Sequence, residues 1–240
     1  MQQLTIQSNE LEFRTREAYK TLRSNIEFSG DNVRTIAITS CTPNEGKSSV
    51  SFELARSFAQ NGNNVLLIDA DLRKSVMRGN FSEGKVEFGL SNYLVGKCSS
   101  SEATCRTNEP GFHLILSGPA TPSPSELLNS QRFSDLLEES RKLYDYIIVD
   151  TPPLGSVIDS AIVGKQCDGT VVVIAAGEIS YRFAQNVVTQ IKKAGCRILG
   201  CVLNKVEMSS RNSYYGKYYG KYYGKYYGQY YGKSTNESAD

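Results

Sequence analysis

Six short runs of mostly apolar residues leave this chain few folds to adopt. They lie at residues 35–40, 65–68, 113–116, 146–149, 170–175 and 198–203, and between them the pattern shifts to helical spacing. Val50, Leu54 and Phe58 recur at that spacing across residues 48–60, and residues 181–194 read as another helix. Ser125 is expected to cap a helix that carries Leu127, Leu128, Phe133, Leu136 and Leu137. Strands that are continuously apolar and alternate with helices are buried on both faces, which builds a mostly parallel sheet with helices on either side. The expected fold class is therefore α/β, doubly wound. In such sheets ligands sit beyond the carboxyl ends of the strands, so Ser40, Asp69 with Asp71, Asp150 and Asn204 should face one site.

The loop after the first run carries the chemistry. Cys41-Thr42-Pro43-Asn44-Glu45-Gly46-Lys47-Ser48 fits the second half of a P-loop between a strand and a helix, with Cys41 where the first glycine usually stands. Backbone N–H groups of such a loop curl around a β-phosphate, the lysine bridges β- and γ-oxygens, and the hydroxyl serves Mg²⁺. The nucleotide contacts are accordingly expected from Thr42, Pro43, Asn44, Glu45, Gly46, Lys47, Ser48, Ser49 and Asn204, with Lys47 on a solvent-facing loop. A dinucleotide site is excluded, because the stretch from Cys41 to Gly46 holds one glycine where a pyrophosphate turn needs three. Asp150 closes an apolar strand in the manner of a Walker B aspartate, and Asp69 and Asp71 stand at i and i+2. If the strand runs on, both point the same way; a turn would send one to metal and leave the other to orient the attacking group. The expected catalytic set is Lys47, Asp69, Asp71 and Asp150, with Ser48, Asp71 and Asp150 on the metal.

Composition removes several other classes. The 240 residues carry a net charge of +2, but taking four lysines and two acids of the stretch from Tyr214 onward out of 27 bases and 25 acids leaves 23 of each. A neutral body argues against nucleic acid as a partner. The six cysteines show no metal-ligand or Cys-x-x-Cys spacing and read as reduced thiols. The first twenty residues lack the apolar run of a signal peptide, and the longest strongly apolar run, residues 171–176, is far short of the ~20 needed to span a bilayer. His113 alternates within an apolar strand and reads as structural. Near the end, Tyr-Tyr-Gly-Lys repeats and gathers ten of the fifteen tyrosines: Tyr214, Tyr215, Tyr218, Tyr219, Tyr222, Tyr223, Tyr226, Tyr227, Tyr230 and Tyr231. Glycine at every fourth position weakens both helix and strand, so the stretch reads as a solvated tail. A phosphate site and a cluster of presented hydroxyls in one chain suggest an enzyme and its own substrate.

Taken together, Leu67-Ile68-Asp69-Ala70-Asp71-Leu72-Arg73, Asp150-Thr151-Pro152-Pro153 and the tyrosine-rich terminus resemble the bacterial tyrosine kinases of capsule and exopolysaccharide synthesis. The likeness is to their separate cytoplasmic subunit of Gram-positive type. It extends over residues 17–240 and includes Glu17-Ala18-Tyr19-Lys20-Thr21-Leu22-Arg23, Gly89-Leu90-Ser91-Asn92-Tyr93-Leu94-Val95-Gly96 and, from Pro122 to Leu128, a likeness to the family's Pro-Ser-Glu-Leu-Leu loop. The resemblance implies a P-loop NTPase of the deviant-Walker type that uses ATP and Mg²⁺ to phosphorylate its tail tyrosines in trans. It implies three parts: an oligomerisation helix segment at 1–30, a kinase domain at 31–207 and a flexible tail at 208–240. It further implies a homo-oligomeric ring joined through Glu17, Lys20 and Arg23, and a membrane-anchored activator or chain-length determinant that recruits a cytoplasmic chain to the inner membrane face. A cognate tyrosine phosphatase and other protein substrates complete the expectation. Lys20 departs from the family's arginine and lacks its planar fork; Asn44 replaces a common loop glycine but tolerates a left-handed backbone. The alternative is a partition or septum-positioning ATPase, which shares the fold but ends in an amphipathic membrane helix or none.

Overall fold

The computed structural model describes residues 1–7 and 11–206. The tail tyrosines and the expected segment 208–240 lie outside the described residues. In chain order the elements are β1 (Gln2–Ile6), α1 (Phe13–Glu27), β2 (Thr35–Ser40), α2 (Lys47–Gln60), β3 (Val65–Asp69), a 3₁₀ turn (Met77–Asn80), β4 (Phe81–Glu83), α3 (Leu90–Leu94) and α4 (Ser100–Ala103). There follow β5 (Cys105–Thr107), β6 (Phe112–Ile115), α5 (Pro124–Leu128), α6 (Gln131–Arg141), β7 (Tyr146–Asp150), α7 (Asp159–Gly164), β8 (Gly169–Ala175), α8 (Tyr181–Lys193) and β9 (Ile198–Asn204). Met1–Asn204 form one compact unit.

Among the described residues nine strands join one sheet in the order β4-β1-β5-β6-β3-β7-β2-β8-β9. The six expected strands form its parallel part, from β6 to β9. β2 is buried at every residue because it lies between β7 and β8 with helices above and below. Its side chains divide by the period of two: Ile36 and Ile38 pack with Val50, Leu54 and Phe58 of α2, while Ala37 joins Leu66, Ile68, Ile147 and Val149 on the face covered by α3 to α7. A third apolar cluster, with Val172, Val187 and Ile191, seats α8. β2 leaves towards β3 on one side and the chain later continues to β8 on the other, so the topological switch point, where such sheets bind ligands, falls at the carboxyl ends of β2 and β7.

The fold departs from the sequence pattern in two places. β1, β4 and β5 were not expected; they are three to five residues long and carry Gln2, Thr5, Glu83 and Arg106, too short and polar for a periodicity signal. The helix expected from Ser125 is two helices. Pro124 occupies the first turn, where a missing N–H loses no bond, so α5 starts ahead of Ser125. Ser130, extended at ψ 155°, then breaks the path, and its hydroxyl donates to the Leu127 carbonyl at 2.7 Å. His113 behaves as a structural residue: its ring meets the Tyr144 ring edge-on at 5.6 Å, and burial lowers its pKa. At the amino ends of the strands, Arg141 ties Asp168 (Nη2 to Oδ1, 3.2 Å) to the Thr35 hydroxyl (Nε to Oγ1, 3.0 Å).

Phe58 is fully buried beneath the sheet and stacks on Tyr146 with ring centroids 4.0 Å apart. Phe58→Ala should lower stability by about 3–5 kcal/mol, through lost transfer energy and the cavity left behind. Urea unfolding followed by circular dichroism checks this; a loss below about 1 kcal/mol would contradict the packing described.

Candidate active site

The loop between β2 and α2 is held from outside as well as by its own sequence. Gly46 takes φ +88° and Asn44 φ +67°, so the asparagine does adopt the left-handed backbone that a glycine would ordinarily supply. A Cβ on Gly46 would stand 2.2 Å from Asn204 Nδ2. That amide donates to the Glu45 carbonyl at 2.9 Å, so Asn204, at the end of β9, braces the loop backbone. Glu45 is buried, and its carboxylate accepts from the amides of Thr42 at 2.7 Å and Ala175 at 3.2 Å. Its side chain thus ties the loop to the end of β8. Ser40 turns into the loop as well, donating to the Thr42 carbonyl at 2.8 Å. Pro43 and Asn44 lie exposed at the rim and Ser49 is exposed on the first turn of α2. The amides of that turn have no intrahelical acceptor and carry the positive end of the helix dipole, which suits an anion.

Beyond the loop, strand ends bring four expected residues together. Lys47 Nζ lies 3.0 Å from Asp71 Oδ2 and 3.5 Å from Asp150 Oδ2. The Ser48 hydroxyl donates to Asp150 Oδ2 at 2.6 Å, and Ser51, one helical turn past Lys47, donates to Asp150 Oδ1 at 2.9 Å. Lys47 is therefore not solvent-facing: it is 9% exposed and forms the cation of a buried cluster. β3 stops at Asp69, so strand alternation does not align the two aspartates. A turn at Ala70, closed by Leu72 N–H donating to the Ala70 carbonyl at 3.0 Å, carries Asp71 to the lysine. Asp69 stays behind, accepting from the Ser75 hydroxyl and from the amides of Asp71 at 3.3 Å and Ser117 at 3.4 Å.

One ammonium faces three carboxylates in this cluster. Burial works against the charged lysine, but Asp150 and Asp71 outweigh it and hold its pKa above the ordinary value. Burial, with Asp150 adding repulsion, pushes Asp69 up to about 7. Burial also raises Asp150, against the pull of Lys47 and the two hydroxyls. The shortage of positive charge, together with hard oxygen donors from Ser48, Asp71 and Asp150, is what a magnesium ion carrying phosphate and water ligands would satisfy. These residues fit that ion.

Glu17, Lys20 and Arg23 lie on α1 away from this cluster. Lys20 pairs with Glu17 at 2.7 Å within the helix, and Arg23 donates to the Ser57 carbonyl of α2 at 2.7 Å. Sequence reasoning missed the side-chain roles of Glu45 and Ser51 and the partners of Ser75 and Arg73. Of these only Ser51 left a signal, four residues after Lys47 on the same helical face.

A parallel α/β sheet with Gly-Lys-Ser at one strand–helix turn and aspartates on the neighbouring strand ends defines a P-loop nucleotide-binding protein. A family model described as an AAA domain matches residues 33–199. Over 211 residues the chain is 43% identical to the tyrosine-protein kinase CpsD of Streptococcus pneumoniae serotype 4, spanning 87% of this chain and 93% of that protein. The kinase domain of the Escherichia coli tyrosine kinase ETK superposes with a TM-score of 0.78 at 35% identity, over 83% of this chain and 78% of that one. The chain belongs to this family of bacterial tyrosine-protein kinases. The septum site-determining protein MinD of Pyrococcus horikoshii, in complex with Mg-ADP, has a TM-score of 0.62 at 23% identity over 74% of this chain and 72% of its own, a likeness of fold alone.

Gly46→Ala should weaken binding of a fluorescent ADP analogue by at least about tenfold, because it strains a left-handed backbone and drives Asn204 off the loop. Adding Asn204→Ala removes the clash but not the strain, so it should restore binding only in part. Full recovery in a titration would show that the strained backbone is unimportant.

Proposed function

We propose that this chain is an ATP-dependent protein-tyrosine autokinase that phosphorylates its own tyrosine cluster, Tyr214 to Tyr231, in trans and thereby regulates capsular or exopolysaccharide synthesis and export. The observation that carries this reading is the pairing of two features in one chain: a buried Lys47–Ser48–Asp71–Asp150 cluster at a P-loop and ten tyrosines spaced by glycine and lysine.

The loop amides and the start of α2 bind the phosphates of ATP, and Lys47 exchanges its carboxylate partners for β- and γ-oxygens. Ser48, Asp71 and Asp150 are the residues that would hold Mg²⁺, which when bound would supply charge neutralisation. A phenol has a pKa of about 10, so it needs a base or firm orientation at neutral pH. Asp69 or Asp71 provides it from the β3 end. The phenol yields its proton to the carboxylate, its oxygen takes the γ-phosphoryl group, and ADP departs with the electrons of the broken P–O bond. Burial favours this chemistry, since charge interactions in a dry site exceed those in water.

Among the described residues no helix is long and apolar enough to cross a membrane. In this reading a membrane-anchored activator recruits the chain to the inner membrane face, and a cognate phosphatase resets the tail. Self-assembly into a ring through the α1 face of Glu17 and Lys20 presents each tail to a neighbouring site. Arg23 is already engaged with Ser57, so its part in assembly is to hold α1 against α2.

Incubation with labelled ATP and magnesium, with phosphotyrosine mapped by mass spectrometry, tests the reading directly. Lys47→Met should lower phosphotyrosine at least about 10²-fold. It should also reduce stability by about 3–5 kcal/mol, because it strips buried carboxylates of their cation. Activity is therefore scored per folded molecule, and a rate near that of the parent protein would sink the site assignment. A Glu17→Ala, Lys20→Ala double variant spares the Arg23–Ser57 bond and should shift the unphosphorylated protein towards monomer in light scattering. An unchanged mass would make this face a plain solvated helix.

A further inference from the structure

Arg73 stands two residues past Asp71, yet its side chain turns from the phosphate loop to Asp159. The guanidinium makes a two-pronged contact, Nε to Oδ2 at 2.7 Å and Nη2 to Oδ1 at 3.2 Å. Nη2 also reaches Ser125 Oγ at 3.2 Å, and that hydroxyl donates to Asp159 Oδ1 at 2.5 Å. Three segments meet here: the turn after β3, the start of α5 and the start of α7. The last of these follows the Asp150-Thr151-Pro152-Pro153 stretch that leaves β7. The Asp159 side chain is 0% exposed, whereas that of Arg73 is 40% exposed.

A carboxylate without water is tolerated only when paired and hydrogen-bonded, so Asp159 holds the arginine, and with it the turn, in one place. The fork fixes direction as well as distance, which a lysine could not do. Between this anchor and the end of β3 lies Asp71, whose Oδ1 accepts the Lys74 amide at 3.0 Å while Oδ2 meets Lys47. We propose that Arg73 is a positioning residue for phosphoryl transfer: acting through Asp159 and Ser125, it locks the turn after β3 to the segment after β7 and sets the spacing of Asp71 from Asp150. This rests on the reading of Asp71 and Asp150 as the metal-side carboxylates. Small displacements of such groups reduce rates sharply, because the chemistry depends on oriented charge.

The experiment uses the full chain with Arg73→Lys, Asp159→Asn, their combination, Asp71→Asn and, as a structural comparator, Arg141→Lys at the far end of the sheet. Arg73→Lys keeps the cation and loses the fork. It should lower kcat about tenfold or more, with KM for ATP at saturating Mg²⁺ within about twofold of the parent. The Mg²⁺ concentration for half-maximal binding of a fluorescent ADP analogue should rise about threefold or more in the same variant. Asp159→Asn should do the same, and the combined variant should be no worse than either alone, as expected for one broken pair. Arg141→Lys should lower the melting temperature without moving kcat or the Mg²⁺ dependence. Parent-like kcat and Mg²⁺ dependence in Arg73→Lys, with Asp71→Asn shifted, overturn the positioning role alone. If Asp71→Asn leaves the Mg²⁺ dependence unchanged, the metal-side reading falls and the positioning role falls with it.

Discussion

A single ammonium group placed among three carboxylates organises this protein. Lys47 meets Asp71 and Asp150 within 3.5 Å, and Asp69 lies close enough to Asp150 to feel its charge. Because the cluster is buried, the imbalance is not screened by water, and it appears as carboxylates that bind protons more readily than usual. The same imbalance suits the proposed kinase reaction: a divalent ion would supply the missing charge, and phosphate oxygens would offer Lys47 other anionic partners.

The sheet makes that cluster possible. β7 lies between β3 and β2, so three consecutive carboxyl ends present Asp69, Asp150 and the phosphate loop side by side, and the register pairs Asp69 directly with Asp150. α2 then starts where β2 ends and delivers Lys47, Ser48 and Ser51 to the same spot. Supports from the far side keep the loop in shape: Glu45 ties it to Ala175 of β8, and Asn204 of β9 fills the space that a side chain on Gly46 would need. The nucleotide site thus depends on five strands, although its recognisable motif occupies only one loop.

The legible parts of the sequence are local patterns: six short apolar runs bounded by turn signals point to buried strands, and Gly-Lys-Ser between a strand and a helix points to a phosphate site. The less legible parts were places where neighbours decide. β1, β4 and β5 pair because an existing sheet edge offers partners, not because their own residues demand it. Ser125 looked like a cap, but α5 begins at Pro124 with Ser123 at the cap position, and the Ser125 hydroxyl is left to serve Asp159. Lys47 looked exposed because loop lysines usually are; only the folded strands show that three aspartates enclose it.

The sequence by itself determined the fold class, the phosphate loop, the strand-end aspartates and the family, since each is written in local periodicity or in a contiguous motif. The tertiary structure alone decided which carboxylate meets the lysine, that Arg73 is spent on Asp159, and that Glu45 and Asn204 support the loop. The physical reason is range. Periodicity and turn chemistry act over a few residues, whereas the Lys47–Asp71, Ser51–Asp150, Arg73–Asp159 and Asn204–Glu45 contacts join residues 24 to 159 positions apart, and only the packed sheet brings such residues within reach.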